Sequence, residues 1–344
     1  MNPIMTSLIM SSLALGTVIT MTSYHWLLAW VGLELNTLAI IPIIAKQHHP
    51  RATEATTKYF LTQAAASATV LFSSMINAWS TGIWDIMQLT NLPACIMLTL
   101  ALSMKLGLAP MHFWLPEVLQ GTPMKTALII ATWQKLAPMA LLFLTHHSLH
   151  PTTLLTMGLL STLIGGWGGL NQTQMRKIMA YSSIAHLGWM ATILTLNPDL
   201  MILNLTIYLL MTLPTFMMLT LFLSKTIKDL TTTWTTSPTT TTLMLILFMS
   251  MAGLPPLSGF MPKWLILQEL TTHNLTTMAT AMALSALLSL FFYLRISYMT
   301  TLTLSPNPAQ NKLKWRFQPK LKTTILATTL ILSTMLLPIT PTLT

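Results

Sequence analysis

Apolar stretches of about 20 residues recur almost from end to end of the chain, and short polar segments separate them. Because a helix rises about 1.5 Å per residue, such a stretch crosses the roughly 30 Å of hydrocarbon in a bilayer. The pattern predicts an all-α integral membrane protein with about eleven transmembrane helices. Their predicted bounds are approximately 3 to 22, 25 to 45, 59 to 80, 92 to 117, 122 to 145, 150 to 170, 174 to 196, 200 to 223, 241 to 270, 274 to 297 and 323 to 340.

The segments between these stretches are too short for a soluble domain, so residues 1–344 are predicted to form a single polytopic membrane domain. Its core covers about residues 25–300, a basic loop covers 298–322, and a C-terminal transmembrane helix covers 323–340. The threonine-rich run from Thr231 to Thr242 is predicted to be an extramembrane linker.

The composition agrees with this class and excludes several kinds of site. Apolar residues make up 53% of the chain, charged residues 7%, and the mean hydropathy is +0.65, which is far from the balance of soluble domains. With Cys95 as its single cysteine, the chain alone forms no disulfide, thiolate zinc site or iron–sulfur cluster. It also lacks a dinucleotide-binding glycine motif and a haem motif, so we expect neither a cofactor nor a metal in this chain.

The basic residues are distributed asymmetrically over the predicted loops. Alternate loops contain fourteen of the 17 Lys and Arg residues, and the intervening loops contain none. Since basic loops lie on the cytoplasmic or matrix side, the N-terminus is predicted on that side and the C-terminus on the other. This bias accounts for the net charge of +10 and gives no reason to expect nucleic-acid binding. Anionic lipid at Lys312 to Lys322 and ordinary loop bias explain the last basic stretch equally well.

The three remaining lysines, Lys105, Lys135 and Lys263, fall inside predicted spans, as does Glu34. A charge at the centre of a spanning helix costs about 2.5–3.5 kcal/mol, so residues of this kind usually have a function. Burial favours a neutral amine and a nearby carboxylate favours the charged one, which allows such groups to exchange protons near neutral pH. One structural Lys–Glu pair would explain Glu34 and a single lysine, but not the other two.

Two histidines, His112 and His186, also lie inside predicted spans. Imidazole titrates near neutrality, so both are candidate intermediates in a proton relay. A purely structural histidine, hydrogen-bonded to backbone or water, is the alternative for each.

Glycine and proline interrupt the spans around two of the lysines. Lys105 lies in MKLGLAPMHFWLPEV and Lys263 in AGLPPLSGFMPKW. Proline removes a backbone donor and breaks a helix, and broken spanning helices are tolerated where they line a polar cavity. These are the fourth and ninth predicted helices, which cross in opposite directions, as an inverted repeat requires. Lys135, on the fifth predicted helix, is a third site.

At these motifs the chain resembles the antiporter-like subunits of proton-pumping NADH:ubiquinone oxidoreductase (respiratory complex I) and their relatives in multi-subunit cation/proton antiporters. The resemblance is most specific over Met104 to Pro123, Arg176 to Met190 and Gly253 to Trp264. It implies an antiporter-like bundle with two broken helices.

Particular roles follow from this resemblance. Glu34 and Lys105 would be the coupled charges of the input half-channel. Lys135 would be the connecting lysine and Lys263 the terminal one, with His186 near the central polar axis. The basic face would be the matrix side, and the short form of the chain is similar to mitochondrially encoded animal members of the family.

Three functions are compatible with these features. The first is a proton-translocating subunit of complex I in the mitochondrial inner membrane, which contacts neighbouring antiporter-like subunits and phospholipids. NADH, FMN, iron–sulfur clusters and ubiquinone would then belong to the parent complex. The second is a stand-alone exchanger of a monovalent cation for protons, and the third is a structural membrane subunit.

Overall fold

A computed structural model describes residues 2–303 and 324–338, and all regular elements in these ranges are helices. This confirms the all-helical prediction. The elements, apart from a short 3₁₀ turn at Ala45–Gln47, are α1 (Pro3–Thr22), α2 (Trp26–Ile44), α3 (Pro50–Thr81), α4 (Leu92–Leu106), α5 (Trp114–Gly121), α6 (Met124–Ala131), α7 (Trp133–Thr145), α8 (Pro151–Gly169), α9 (Met175–Leu194), α10 (Pro198–Phe222), α11 (Ile227–Thr231), α12 (Thr233–Thr236), α13 (Pro238–Ala252), α14 (Phe260–Thr272), α15 (Thr276–Leu302) and α16 (Thr324–Met335).

Several helices are long and apolar enough to cross a membrane. Within the described ranges there are six such segments, namely α1, α2, α3, the pair α6–α7, α10 and α15. The shorter helices α4, α13 and α16 are also apolar. The chain is therefore a multi-pass membrane protein.

Residues at the helix ends explain where the long helices begin and stop. Imidazole nitrogens of His25 and His49 accept hydrogen bonds from the first-turn amides of α2 and α3, at 3.1 and 3.2 Å. Pro50 then opens α3, a position where its missing amide costs nothing. Gly82 ends α3 with a φ of +73°, which favours glycine.

The first of two compact units comprises Met1–Ser161 and Met190–Pro198. Its helices α1 and α2 approach closely because both carry glycine at the contact. A Cβ atom added at Gly16 would lie 2.9 Å from the carbonyl oxygen of Gly32. Helices α3, α4, α5 and α7 complete the packing around the charged residues of this unit.

The second unit comprises Thr162–Trp189 and Asp199–Thr344, of which residues 304–323 and 339–344 are not described. Here α13 and α14 pack with α15, α16 packs with α13, and the Ser258 hydroxyl donates a hydrogen bond to the Ser333 carbonyl. The guanidinium of Arg295 on α15 donates to the carbonyls of Leu170 and Gln172, which follow the end of α8.

Three parts of the structure differ from the sequence-based expectation. The threonine-rich run from Thr231 to Thr242, predicted as an extramembrane linker, is largely helical, because it contains the last residue of α11, all of α12 and the start of α13. A non-helical residue, Thr132, interrupts the fifth predicted helix between α6 and α7. Helix α15 continues to Leu302, so only the later part of the predicted basic loop 298–322 remains. That part, with Lys312 to Lys322, lies outside the described residues.

Candidate functional site

The first broken helix consists of α4, a non-helical connection and α5. Helix α4 ends at Gly107, whose φ of +80° turns the chain away from the helix axis. The amides of Gly107 and Leu108 both donate to the Ser103 carbonyl at 2.9 Å. The indole of Trp114 donates to the Met104 carbonyl at 3.0 Å. Carbonyls that lose their helical partners at the break are thus bound by neutral groups.

Lys105 lies in the last turn of α4 and is only 5% exposed. Its ammonium nitrogen has no hydrogen-bond partner and no salt bridge among the described residues. Its backbone carbonyl accepts a hydrogen bond of 3.5 Å from the side-chain amide of Gln63 on α3. The carbonyl end of α4 favours a positive charge at this position, through the helix dipole.

Glu34 is half-buried on α2, and two hydroxyls hold its carboxylate. Thr37, one turn later, donates to Oε2 at 2.9 Å, and Ser67 on α3 donates to Oε1. Within the described part of the chain, no Lys or Arg forms a salt bridge with Glu34. Glu34 and Lys105 therefore do not form a direct ion pair, and any coupling between them acts over a longer distance.

Lys135 is 4% exposed and belongs to the first turn of α7, directly after the interruption at Thr132. The preceding residue, Gln134, donates to the side-chain oxygen of Asn36 on α2 at 3.0 Å. The Tyr59 hydroxyl on α3 donates to the side-chain oxygen of Gln134 at 3.5 Å. This network fixes the start of α7 against two neighbouring helices.

The sequence predicts His112 inside the fourth spanning helix. In the structure it lies in the non-helical connection between α4 and α5. The residue is 3% exposed, and its Nδ1 atom lies 3.2 Å from the Pro110 carbonyl. The ring also packs against Phe113, with 4.2 Å between the ring centroids. Its position beside the break of α4 keeps it a candidate relay group of the first unit.

The second broken helix consists of α13, a turn and α14. Gly253 ends α13 with a φ of +84°, and its amide donates to the Ser250 carbonyl at 3.0 Å. Lys263, on α14, reaches back to this end, and its Nζ atom donates to the Ala252 carbonyl at 2.8 Å. Lys263 is 8% exposed, and its ammonium binds a carbonyl that the break has left without a helical partner.

A small polar cavity adjoins Lys263. His186 from α9 also lines this cavity. The cavity volume of about 10 Å³ is roughly what one water molecule needs. The other lining residues are Ser182, Ala185, Trp189, Ser289 and Tyr293. The structure therefore brings together two of the predicted relay residues of the second unit.

The polar groups gathered at these sites share one chemical property. Amines, imidazoles and hydroxyls at polar sites are groups that gain and lose protons or hold ordered water. Among the described residues, no three His, Cys, Asp or Glu side chains cluster as metal ligands would. Cys95 is buried and free, as a small apolar core residue would be.

Sequence reasoning missed three buried polar residues of α3, namely Tyr59, Gln63 and Ser67. Each contacts either Glu34, the Lys105 carbonyl or the residue before Lys135. Their four-residue spacing in an otherwise apolar stretch was the signal that could have identified them, because it places them on one face of the helix.

Comparisons with known proteins cover the whole chain. Residues 23–289 match the family described as NADH:quinone oxidoreductase/Mrp antiporter, TM, and residues 290–344 match NADH dehydrogenase subunit 2 C-terminus. The chain is 60% identical to NADH-ubiquinone oxidoreductase chain 2 of Xenopus laevis, over 99% of each protein.

Solved structures give the same relationship. A chain of respiratory complex I from Thermus thermophilus is 28% identical, with a TM-score of 0.84 over 98% of this chain and 79% of that one. A chain of the Mrp complex from Dietzia sp. has a TM-score of 0.80 at 15% identity, over 95% of this chain and 74% of that one, which shows a shared fold. The chain therefore belongs to the NADH:quinone oxidoreductase/Mrp antiporter membrane family, in its NADH-ubiquinone oxidoreductase chain 2 branch.

Proposed function

We propose that this chain is a membrane subunit of NADH:ubiquinone oxidoreductase that carries protons through its intramembrane lysines and glutamate. The observation on which this depends most is the burial of three lysines, two of them at broken helices, in a member of this family. Glu34 and Lys105 take up protons, Lys135 is the connecting group, and Lys263 is the terminal one. His112 and His186 are intermediates.

The division of labour with the rest of the enzyme follows from the residues in this chain. NADH, FMN, iron–sulfur clusters and ubiquinone would belong to the parent complex, as the sequence resemblance implies. Electron transfer there would act on this chain by changing the proton affinity of the buried amines and the access of water to them. The chain is part of an enzyme without holding the redox reaction.

The same proposal includes the topology. The chain forms one membrane domain of about eleven spanning helices, arranged as an inverted repeat around α4–α5 and α13–α14. It lies in the mitochondrial inner membrane, with its N-terminus in the matrix and its C-terminus on the intermembrane side. Its partners are neighbouring antiporter-like subunits and phospholipids, with anionic lipid at Lys312 to Lys322.

A stand-alone cation/proton exchanger is the second candidate, because the Mrp chain shares the fold. Hard cations such as Na⁺ prefer several oxygen ligands, and Glu34 is the one carboxylate within the buried polar sites described above. Purified chain in proteoliposomes tests this alternative directly. Cation-driven proton exchange by the chain alone would favour it over the complex I subunit.

The decisive test of the relay compares Lys105→Met and Lys263→Met with Lys125→Met, which is the same substitution at an exposed lysine. Proton pumping and NADH oxidation are measured in the assembled complex, reconstituted in vesicles. We expect both buried substitutions to lower proton pumping at least tenfold, whereas Lys125→Met leaves it unchanged. Normal pumping in both buried variants would instead support a purely structural subunit.

A further inference from the structure

One face of α3 carries three buried polar residues, Tyr59, Gln63 and Ser67, which are named here the α3 polar face. They recur at four-residue spacing, so their side chains lie above one another along the helix. The three residues span about 12 Å of helix. Each contacts a different segment that carries a charged residue of the proposed relay.

Ser67 fixes the carboxylate of Glu34. Its hydroxyl donates to Oε1, while Thr37 donates to Oε2 at 2.9 Å. Thr37 belongs to the same helix as Glu34, so Ser67 is the donor that ties the carboxylate to a second helix. A neutral hydroxyl holds the group in one orientation without cancelling its charge, so the carboxylate remains free to influence other charges.

Gln63 contacts the end of α4. Its side-chain amide donates to the Lys105 carbonyl at 3.5 Å, beside the carbonyls of Ser103 and Met104, which other neutral donors bind. Gln63 therefore contributes to the end of the helical segment from which the Lys105 side chain extends.

Tyr59 contacts the start of α7 through Gln134. The hydroxyl donates to the Gln134 side chain at 3.5 Å, and Gln134 in turn donates to Asn36 at 3.0 Å. Because Thr132 interrupts the helix just before this point, the first turn of α7 depends on such side-chain contacts for its position. Lys135 is the next residue in that turn.

We infer that the α3 polar face is the positioning surface of the proton relay, and that Ser67 is the positioning residue of Glu34. This inference rests on the proposed function, since it assigns Tyr59, Gln63 and Ser67 to holding the charged groups in register. None of the three transfers a proton itself.

The test uses three substitutions at two serines of the same helix, in the assembled complex. Ser67→Ala removes the donor to Glu34, and Ser67→Thr restores a hydroxyl at the same site. Ser74→Ala is the matched control, because Ser74 is equally buried on α3 and, among the described residues, its hydroxyl binds the Leu71 carbonyl and no charged group. The rates of proton pumping and of NADH oxidation are measured across a range of pH, and Glu34→Gln is measured in the same way.

We expect Ser67→Ala to lower the proton-pumping rate about tenfold, the factor that corresponds to one lost hydrogen bond to a charged group. Its pH profile should move, Ser67→Thr should restore both rate and profile, and Ser74→Ala should resemble the unaltered chain. If Glu34→Gln abolishes pumping but Ser67→Ala does not change it, the inference is wrong and the proposed function stands.

Two other results also overturn the inference. Equal losses in Ser67→Ala, Ser67→Thr and Ser74→Ala would show that α3 needs only tight packing. Unchanged pumping in Glu34→Gln would show that Glu34 has no part in the proposed relay. Ser67 would then have no relay group to position.

Discussion

Both broken helices leave backbone carbonyls without helical partners, and a different kind of donor binds these carbonyls in each. In both, a glycine with positive φ ends the first segment, at Gly107 and Gly253. At α4, Trp114 and Gln63 bind the exposed carbonyls, and the Lys105 ammonium is left without a protein partner. At α13, the Lys263 ammonium itself binds the last carbonyl, at 2.8 Å.

This difference separates a lysine that is part of the local structure from one that is not. Removing the Lys263 ammonium also removes a hydrogen bond from the end of α13. Removing the Lys105 ammonium takes away a buried, unpaired charge and no contact. Lys105 thus depends on more distant charges such as Glu34, whereas Lys263 is stabilised by the backbone next to it.

Two other charged residues follow the same division. In the second unit, Arg295 binds the carbonyls of Leu170 and Gln172, so a backbone again satisfies a cation. In the first unit, Lys58 pairs with the side chains of Glu54 and Glu117, at 2.5 and 2.6 Å. Arg295 is thus held by rigid backbone groups, whereas Lys58 is held by mobile side chains.

The largest effect is expected from alanine at the two glycines. Either substitution forces a positive φ on alanine, at a cost of about 1–2 kcal/mol. At Gly253 the new Cβ would also lie 3.0 Å from the Lys263 Nζ atom and displace it. We expect Gly253→Ala to reduce proton pumping in vesicles more than tenfold.

Gly107→Ala is the matched control, because its Cβ would meet the Leu115 side chain at 3.1 Å and no charged group. Pumping should fall by a smaller factor in this variant. Equal losses at the two glycines would mean that backbone strain alone decides the effect, and the contrast between the lysines would lose its support.

The next largest effect is a change of opposite sign at the two lysines. Lys263→Met leaves the Ala252 carbonyl without its donor and should destabilise the end of α13 by about 1–3 kcal/mol. Lys105→Met replaces an unpaired buried charge by an apolar side chain and should leave α4 as stable or more stable. Hydrogen exchange in the assembled complex measures both changes in stability. We expect faster exchange at Gly253 and Leu254 in Lys263→Met, and unchanged or slower exchange in α4 in Lys105→Met. Faster exchange at both sites would contradict the comparison.

Much of this arrangement was predictable from the sequence. Hydrophobic length identified the helical membrane class, and glycine with proline marked both breaks around Lys105 and Lys263. The order of residues also indicated the difference between the two lysines, because Lys105 precedes Gly107 and Lys263 follows Gly253. A lysine beyond the break can reach back to the free carbonyls of the preceding segment.

Other features were not predictable because they depend on how helices rotate against one another. The bonds from Ser67 to Glu34 and from Gln134 to Asn36 join residues far apart in the chain. The interruption at Thr132 has no adjacent glycine or proline to signal it. Composition also gave no sign that the threonine-rich run Thr231–Thr242 contains α12 and the start of α13, which follow α11 with its Thr226–Asp229 cap.

The smallest effect concerns that cap, where a charge of the second unit is again held by backbone. Burial alone raises the pKa of Asp229, but hydrogen bonds from the amides of Thr226 and Lys225, at 2.8 and 2.9 Å, outweigh it and lower the pKa below its ordinary 3.8. The stabilisation is therefore present above pH 3.8 and is lost as the pH falls through the lowered value.

Asp229→Ala should cost about 0.3–1.5 kcal/mol at neutral pH, measured as faster hydrogen exchange in α11. Salt should change this cost little, whereas the effect of Glu117→Gln, which removes an exposed partner of Lys58, should vanish as salt screens the pair. If salt weakened both equally, backbone and side-chain partners would not differ in the way that the two broken helices indicate.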